Sequence, residues 1–208
     1  MNTYSKEQIS LINAANELFM RIGIRSVSMD DIARELGISK KTLYQTVTNK
    51  EGLVQLVLEH GIKRDVQVLD RNRVESTDAI DELLRNGRHF VEQMRRVSPT
   101  TMHDLRKYYP EIFRRKVEAH QDHFLERVTQ NLERGKAEGL YRASIDAAVI
   151  ANLYVGMTMI VVDRGVFPAR DRTLSEILWQ HSTYHFNGIV NDAGRERLTT
   201  YLAHQDCL

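Results

Sequence analysis

The sequence predicts an all-α protein. Three prolines and eleven glycines in 208 residues leave few places to interrupt a helix, and apolar residues recur at spacings of three and four rather than two. Ser or Thr followed three residues later by a carboxylate or amide recurs along the chain, which is the capping-box signature of a helix start. The length suits one large or two small domains. With 42% apolar and 27% charged residues the chain has the profile of a globular protein, not a disordered one.

Ser5 with Gln8 opens a first helix that ends at Gly23, with Ile9, Ile12, Ala15, Leu18, Phe19 and Ile22 facing inward. Ser28 with Asp31 opens a second, buried through Ile32 and Leu36 and stopped by Gly37. The third starts at Ser39 and turns Leu43 and Val47 inward. Thr48 with Glu51 caps a fourth carrying Leu53, Leu56, Val57 and His60 in line. The polar, aperiodic stretch that follows predicts a connection between Asp70 and Thr77.

A helix is expected from Asp78 to Val97, after which Ser98 and Pro99 supply an N-cap and a first-position proline. Pro110 restarts the chain after Tyr108 and Tyr109, and the next helix runs to Glu138 with Gly139 as its stop. Others span Ile145 to Arg164 and, capped by Thr173 with Glu176, reach Val190; a short terminal helix holds Arg195 to Leu202. No fixed-period repeat is visible.

Composition excludes several functional classes. Lys and Arg number 29 against 28 Asp and Glu, so any affinity for nucleic acid must come from a local patch. The lone cysteine, Cys207, excludes a disulfide framework within one chain and a Cys-based zinc site. Val149 to Val162 is too short and too interrupted by Asn152 and Thr158 to span a bilayer. Met1 to Asp30 lacks the basic start and apolar stretch of an export signal, so a cytoplasmic location without membrane contact is expected.

The informative pattern is a pair of short helices joined by a tight glycine turn, from Ser28 to Tyr44. Leu36 to Lys50 contains Lys40, Lys41 and Lys50 and no acidic residue, so an otherwise neutral chain carries a basic second helix. With Leu43 and Val47 inward, Lys40, Lys41, Thr42, Tyr44, Gln45 and Thr46 lie on or near its exposed side. Such a helix fits a major groove, where Lys donates to guanine, Gln pairs with adenine and Thr hydrogen-bonds or touches a thymine methyl. The competing reading is an ordinary solvated helix face.

Ile32-Ala-Arg-Glu-Leu-Gly-Ile-Ser-Lys-Lys-Thr-Leu-Tyr44, followed by Thr48-Asn-Lys-Glu-Gly-Leu53, resembles the TetR family of bacterial transcriptional regulators over roughly Ser5 to Leu58. Tyr109-Pro-Glu-Ile-Phe113 and Glu133-Arg-Gly-Lys-Ala-Glu-Gly-Leu-Tyr141 also resemble regulatory domains of that family. The resemblance implies a three-helix DNA-binding domain over residues 1–50 and a helical-bundle domain over 51–208 for dimerisation and ligand binding. It makes Lys40, Lys41, Thr42 and Gln45 candidate base readers and Ser28, Ser39, Tyr44, Thr46 and Lys50 candidate phosphate contacts on double-stranded operator DNA. Arg21 and Arg25 are possible additions. Many members end the recognition helix with an aromatic pair where this chain has Thr46-Val47, a departure that bears on which operator is preferred.

The resemblance further implies a homodimer through residues about 145–164 and 173–190. Val149, Leu153, Gly156, Met157, Ile160 and Val161 make one apolar face and Leu174, Ile177, Leu178, His181, His185 and Ile189 a second. The plain alternative makes both faces internal core. A small-molecule effector releasing a repressor is implied as well, its pocket drawn from Phe90, Met94, Met102, His103, Tyr108, Tyr109, Phe113, Phe124, Tyr154 and Met157. Competing readings are a DNA-binding dimer without a switch, a helical metal-binding protein using His120 with His123 or His181 with His185, and an enzyme. No cofactor is expected, and no nucleophile-elbow, P-loop or dinucleotide motif occurs.

Overall fold

The computed structural model describes residues 4–96, 99–161, 166–167 and 172–203. Among these the chain is helical, with no strand beyond an isolated bridge between Tyr141 and Val190. The helices are α1 (Lys6–Ile22), α2 (Met29–Glu35), α3 (Lys40–Thr46), α4 (Lys50–Glu75), α5 (Ala79–Arg96), α6 (Pro99–Tyr108), α7 (Pro110–Ile112), α8 (Ala119–Ala137), α9 (Ala147–Val161), α10 (Leu174–Ile189) and α11 (Asp192–Ala203). The expected cap Ser98, the helix end Val162 to Arg164 and Cys207 lie outside the described residues.

Capping chemistry places the starts. Ser5, Ser28 and Thr173 each accept from the backbone three residues on, while Gln8, Asp31 and Glu176 reach back to the cap N–H, closing reciprocal boxes on α1, α2 and α10. The fourth start differs from the expectation at Thr48: the Asn49 side chain takes the Gly52 N–H at 2.8 Å, so Asn49 is the cap. Both residues are competent caps, and the sequence alone does not choose between neighbours.

Two further expectations are corrected. Residues 70–75 are helix, not connection, because α4 runs through to Glu75. Tertiary partners hold this polar turn: Asn72 donates to Asn86 at 2.9 Å, and the Arg73 guanidinium lies 3.7 Å from the Glu82 carboxylate. The single helix expected after Pro110 is instead α7, a π-helical turn at Phe113–Glu118, and α8. Ile22, expected inward, is exposed, and Leu11 takes its place in the core.

Two compact units result, Met1–Val66 with Arg96–His120 and Gln67–Arg95 with Gln121–Leu208. The first is built around Ile12, Ala15, Phe19, Ile32, Leu43 and Leu53, with Leu105 and Ile112 closing it. The second is centred on Ile80, Leu132, Tyr141, Ala151, Phe186 and Ile189. Within it, Arg134 binds the buried Glu82 at 2.9 Å, Glu138 at 2.7 Å and the Ser76 hydroxyl at 2.8 Å, tying α8 to α5 and to the turn after α4.

The two histidines of α10 belong to this second core. His181 and His185 pack on Tyr154 with ring centroids 5.0 and 4.2 Å away. Burial lowers the pKa of both, and for His185, with His181 adding to the effect, to about 3. The unfolded chain therefore takes up a proton below pH ~6.5 that the folded His185 refuses until pH about 3. Stability is lost as pH falls through that window, by about 2 kcal/mol between pH 7 and pH 5 for this one group. Urea midpoints at the two pH values check the result, and His185→Phe flattens the dependence by that amount. An equal pH dependence in the variant contradicts it.

Candidate nucleic-acid interface

Residues 28–50 form two short helices around a glycine turn. The Ile38 N–H donates to the Ala33 carbonyl at 3.0 Å and the Gly37 N–H to Arg34 at 3.1 Å, the paired bonds of a Schellman stop. Gly37 sits at φ +64, a left-handed conformation that a side chain disfavours even though the space around it is open. Ser39 then restarts the chain by taking the Thr42 N–H at 3.1 Å. Leu43 and Val47 anchor α3 in the core beside Ile32 and Ala33, so the rest of α3 faces away from it.

On that outer side Lys40, Lys41, Thr42, Tyr44 and Gln45 are exposed, while Thr46 is half-buried. Lys41 has no carboxylate partner among the described residues. Lys40 is held by Asp30 of α2 at 2.7 Å, and the hydrogen bond to that carboxylate raises its pKa. The pair bridges α2 and α3, so reaching a base edge means exchanging Asp30 for it. The Ser39 and Thr42 hydroxyls are 2.8 Å apart and bond each other. Ser28 donates to Asp31 at 2.6 Å while capping α2, and these bonds lower the Asp31 pKa.

Lys50, at the start of α4, donates to the Arg25 carbonyl at 3.3 Å; partial burial lowers its pKa, against the pull of Asp104 and Asp31. Asp30 and Asp104 are the parts of this surface that reading the sequence missed. Asp30 is ten residues from Lys40 and Asp104 seventy-nine from Arg25, and no local spacing signals either pairing.

The α1–α2 turn is fastened to α6. Thr101 donates to the Phe19 carbonyl at 2.7 Å, and Asp104 takes the Arg25 N–H at 2.7 Å. Gly23, at φ +86, passes so close to α6 that a Cβ there would meet the Thr100 hydroxyl.

The candidate pocket residues do not gather in one place. Phe90, Phe124 and Tyr154 line a cavity of about 20 Å³ in the second unit, together with Leu83, Leu178 and His181. Tyr109 and Phe113 pack against the core of the first unit. Met102, His103 and Tyr108 are exposed, whereas Met94 and Met157 are half-buried. Among the described residues no group of three or more His, Cys, Asp or Glu side chains is placed to hold a metal, and no helix is long and apolar enough to cross a membrane.

Residues 11–57 match the family described as "Bacterial regulatory proteins, tetR family". The chain is similar to this family over that segment. Its matched segment takes in most of α1, all of α2 and α3 and the start of α4, which are the elements that build and anchor the basic face. The chain is 22% identical to the HTH-type transcriptional regulator YfiR of Bacillus subtilis over 168 residues, 78% of this chain and 81% of that one. In fold it is similar to the regulatory protein TetR from Rhodobacter sphaeroides, with a TM-score of 0.73 at 20% identity over 89% of this chain and 100% of the other. It is also similar to SmeT, the repressor of the Stenotrophomonas maltophilia multidrug efflux pump SmeDEF, with a TM-score of 0.70 at 17% identity over 92% and 93%. The matched family and the relatives named here are regulators of transcription.

Proposed function

We propose that the chain is a cytoplasmic repressor that binds a near-palindromic operator as a homodimer and leaves it when a small molecule binds. Residues 1–50 carry the DNA contacts and 51–208 the dimer and effector functions. The observation that supports this best is the exposed basic side of α3, set by the glycine turn and anchored through Leu43. Lys40, Lys41, Thr42 and Gln45 read bases, and Ser28, Ser39, Tyr44, Thr46 and Lys50 hold phosphates. Dimer symmetry presents two such helices to half-sites ~34 Å apart. Selecting bound fragments from random DNA tests the reading: an inverted repeat with that spacing supports it, and recovery of unrelated fragments opposes it.

The dimer face is argued from apolar side chains left in solvent. On α9 Val149, Leu153 and Ile160 are each more than half exposed, and on α10 Tyr184 is 72% exposed. The second face expected on α10 is corrected, since Leu178, His181, His185 and Ile189 are buried within the subunit. Val161, expected on the α9 face, is buried as well. Leu153→Glu places a charge on the proposed seam without touching the core. Sedimentation then reports a monomer, and operator affinity falls roughly a hundredfold or more as the two-point attachment is lost. A dimeric variant with unchanged affinity removes this face from the proposal.

One observation favours the runner-up, a DNA-binding dimer without a switch. The cavity of about 20 Å³ holds a water or two, whereas effector pockets run to several hundred Å³. An effector must therefore stabilise a more open second unit, by ~1 to 3 kcal/mol of coupling for a 5- to 150-fold loss of operator affinity.

A further inference from the structure

Outside α3, the first unit gathers cations around one aromatic ring. Tyr108, at the end of α6 and 38% exposed, has the Arg25 guanidinium 5.0 Å and the Lys107 ammonium 5.4 Å from its ring centroid. Arg25 also donates to the Tyr108 hydroxyl at 2.7 Å. Both cations are exposed, and neither side chain has a carboxylate partner among the described residues. The nearby acid, Asp104, is 6% exposed and receives the backbone N–H of Arg25.

Two like charges held beside one ring repel, and an exposed cation–π contact offsets only ~0.5 to 1 kcal/mol. An anion is the counter-charge that such a cluster accepts. The position says which anion. Arg25 stands three residues before Ser28, and its carbonyl receives the Lys50 ammonium, so the cluster continues the surface already argued to face DNA. Duplex phosphates recur along each strand, so a surface flanking a groove-bound helix meets the backbone beyond it.

We infer that Arg25 and Lys107, held by the Tyr108 ring, form a phosphate seat for the operator backbone, making α6 a direct DNA contact. This rests on the reading that α3 enters the groove. It adds a contact from a helix that neither the glycine-turn motif nor the matched segment includes. It also means that the helix tied to the α1–α2 turn by Thr101 and Asp104 itself touches the ligand.

The test uses the full chain, a duplex recovered by selection from random DNA, and a scrambled duplex of equal length. Lys107→Ala lowers the magnitude of the slope of log affinity against log salt by about 0.9 per protomer, about 1.8 for the proposed dimer, on both duplexes. Base preference and melting temperature stay unchanged. Lys107→Arg restores the slope, and Lys107→Glu lowers it further. An unchanged slope for Lys107→Ala overturns the inference, as does a loss confined to the selected sequence. Lys41→Ala separates the two readings. If it weakens binding while Lys107→Ala is silent, the α3 interface stands and the seat falls; if only Lys107→Ala acts, the seat stands and the α3 reading falls.

Discussion

Arg134→Met lowers the unfolding free energy by about 3 kcal/mol, the low end of the range for removing one partner of a buried ion pair. The Glu82 side chain is 2% exposed, and Arg134 is its hydrogen-bonded counter-charge at 2.9 Å. Arg73, at 3.7 Å, is too far to replace that bond. Removing the guanidinium also takes one hydrogen-bond partner from the Ser76 hydroxyl, the Arg73 and Ser76 carbonyls and Glu138. The damage is electrostatic and not volumetric, so Glu82→Gln in the Arg134→Met background recovers part of the loss by removing the stranded charge. Urea denaturation at one fixed protein concentration gives both numbers. A single-variant loss below about 1 kcal/mol, or a double variant no better than the single, contradicts the account.

The second large effect is on DNA. Lys41→Ala weakens operator binding by about 1 to 3 kcal/mol, or 5- to 150-fold, if its ammonium donates to a guanine edge, and base preference relaxes at that position. Lys41 is chosen over Lys40 because it is exposed and carries no carboxylate partner among the described residues, whereas Lys40 must first leave Asp30. The effect of Lys40→Ala is correspondingly smaller, and Asp30→Asn, which releases Lys40, tightens binding. Gel-shift titrations on the selected site and on single-base variants of it provide the measurement. A Lys41→Ala loss that is equal on every sequence reassigns Lys41 to phosphate; no loss at all removes α3 from the groove.

Much of this protein was legible before the fold was known, and the reason is locality. The boxes at Ser5, Ser28 and Thr173 close within four residues, and the stop at Gly37 depends on a left-handed backbone that glycine adopts most cheaply. The inward set Ile32, Leu43 and Val47 follows from helical period alone. Where two neighbours were equally competent, as at Thr48 and Asn49, the pattern gave no means of choosing. The helical turn at residues 70–75 leaves no such local trace, because it is held by Asn86 and Glu82 across a helix–helix contact, without an apolar stripe of its own.

The amino-acid order by itself determined the helical class, the glycine turn and the cationic character of α3, because each depends on residues within one or two helical turns of one another. Which apolar face of α10 is core, which lysine of α3 is engaged, and which cations meet at Tyr108 were decided only by tertiary packing. Those outcomes depend on groups tens of residues apart being brought within a few ångströms, and neither charge pairing nor burial over that separation leaves a periodic trace in the chain.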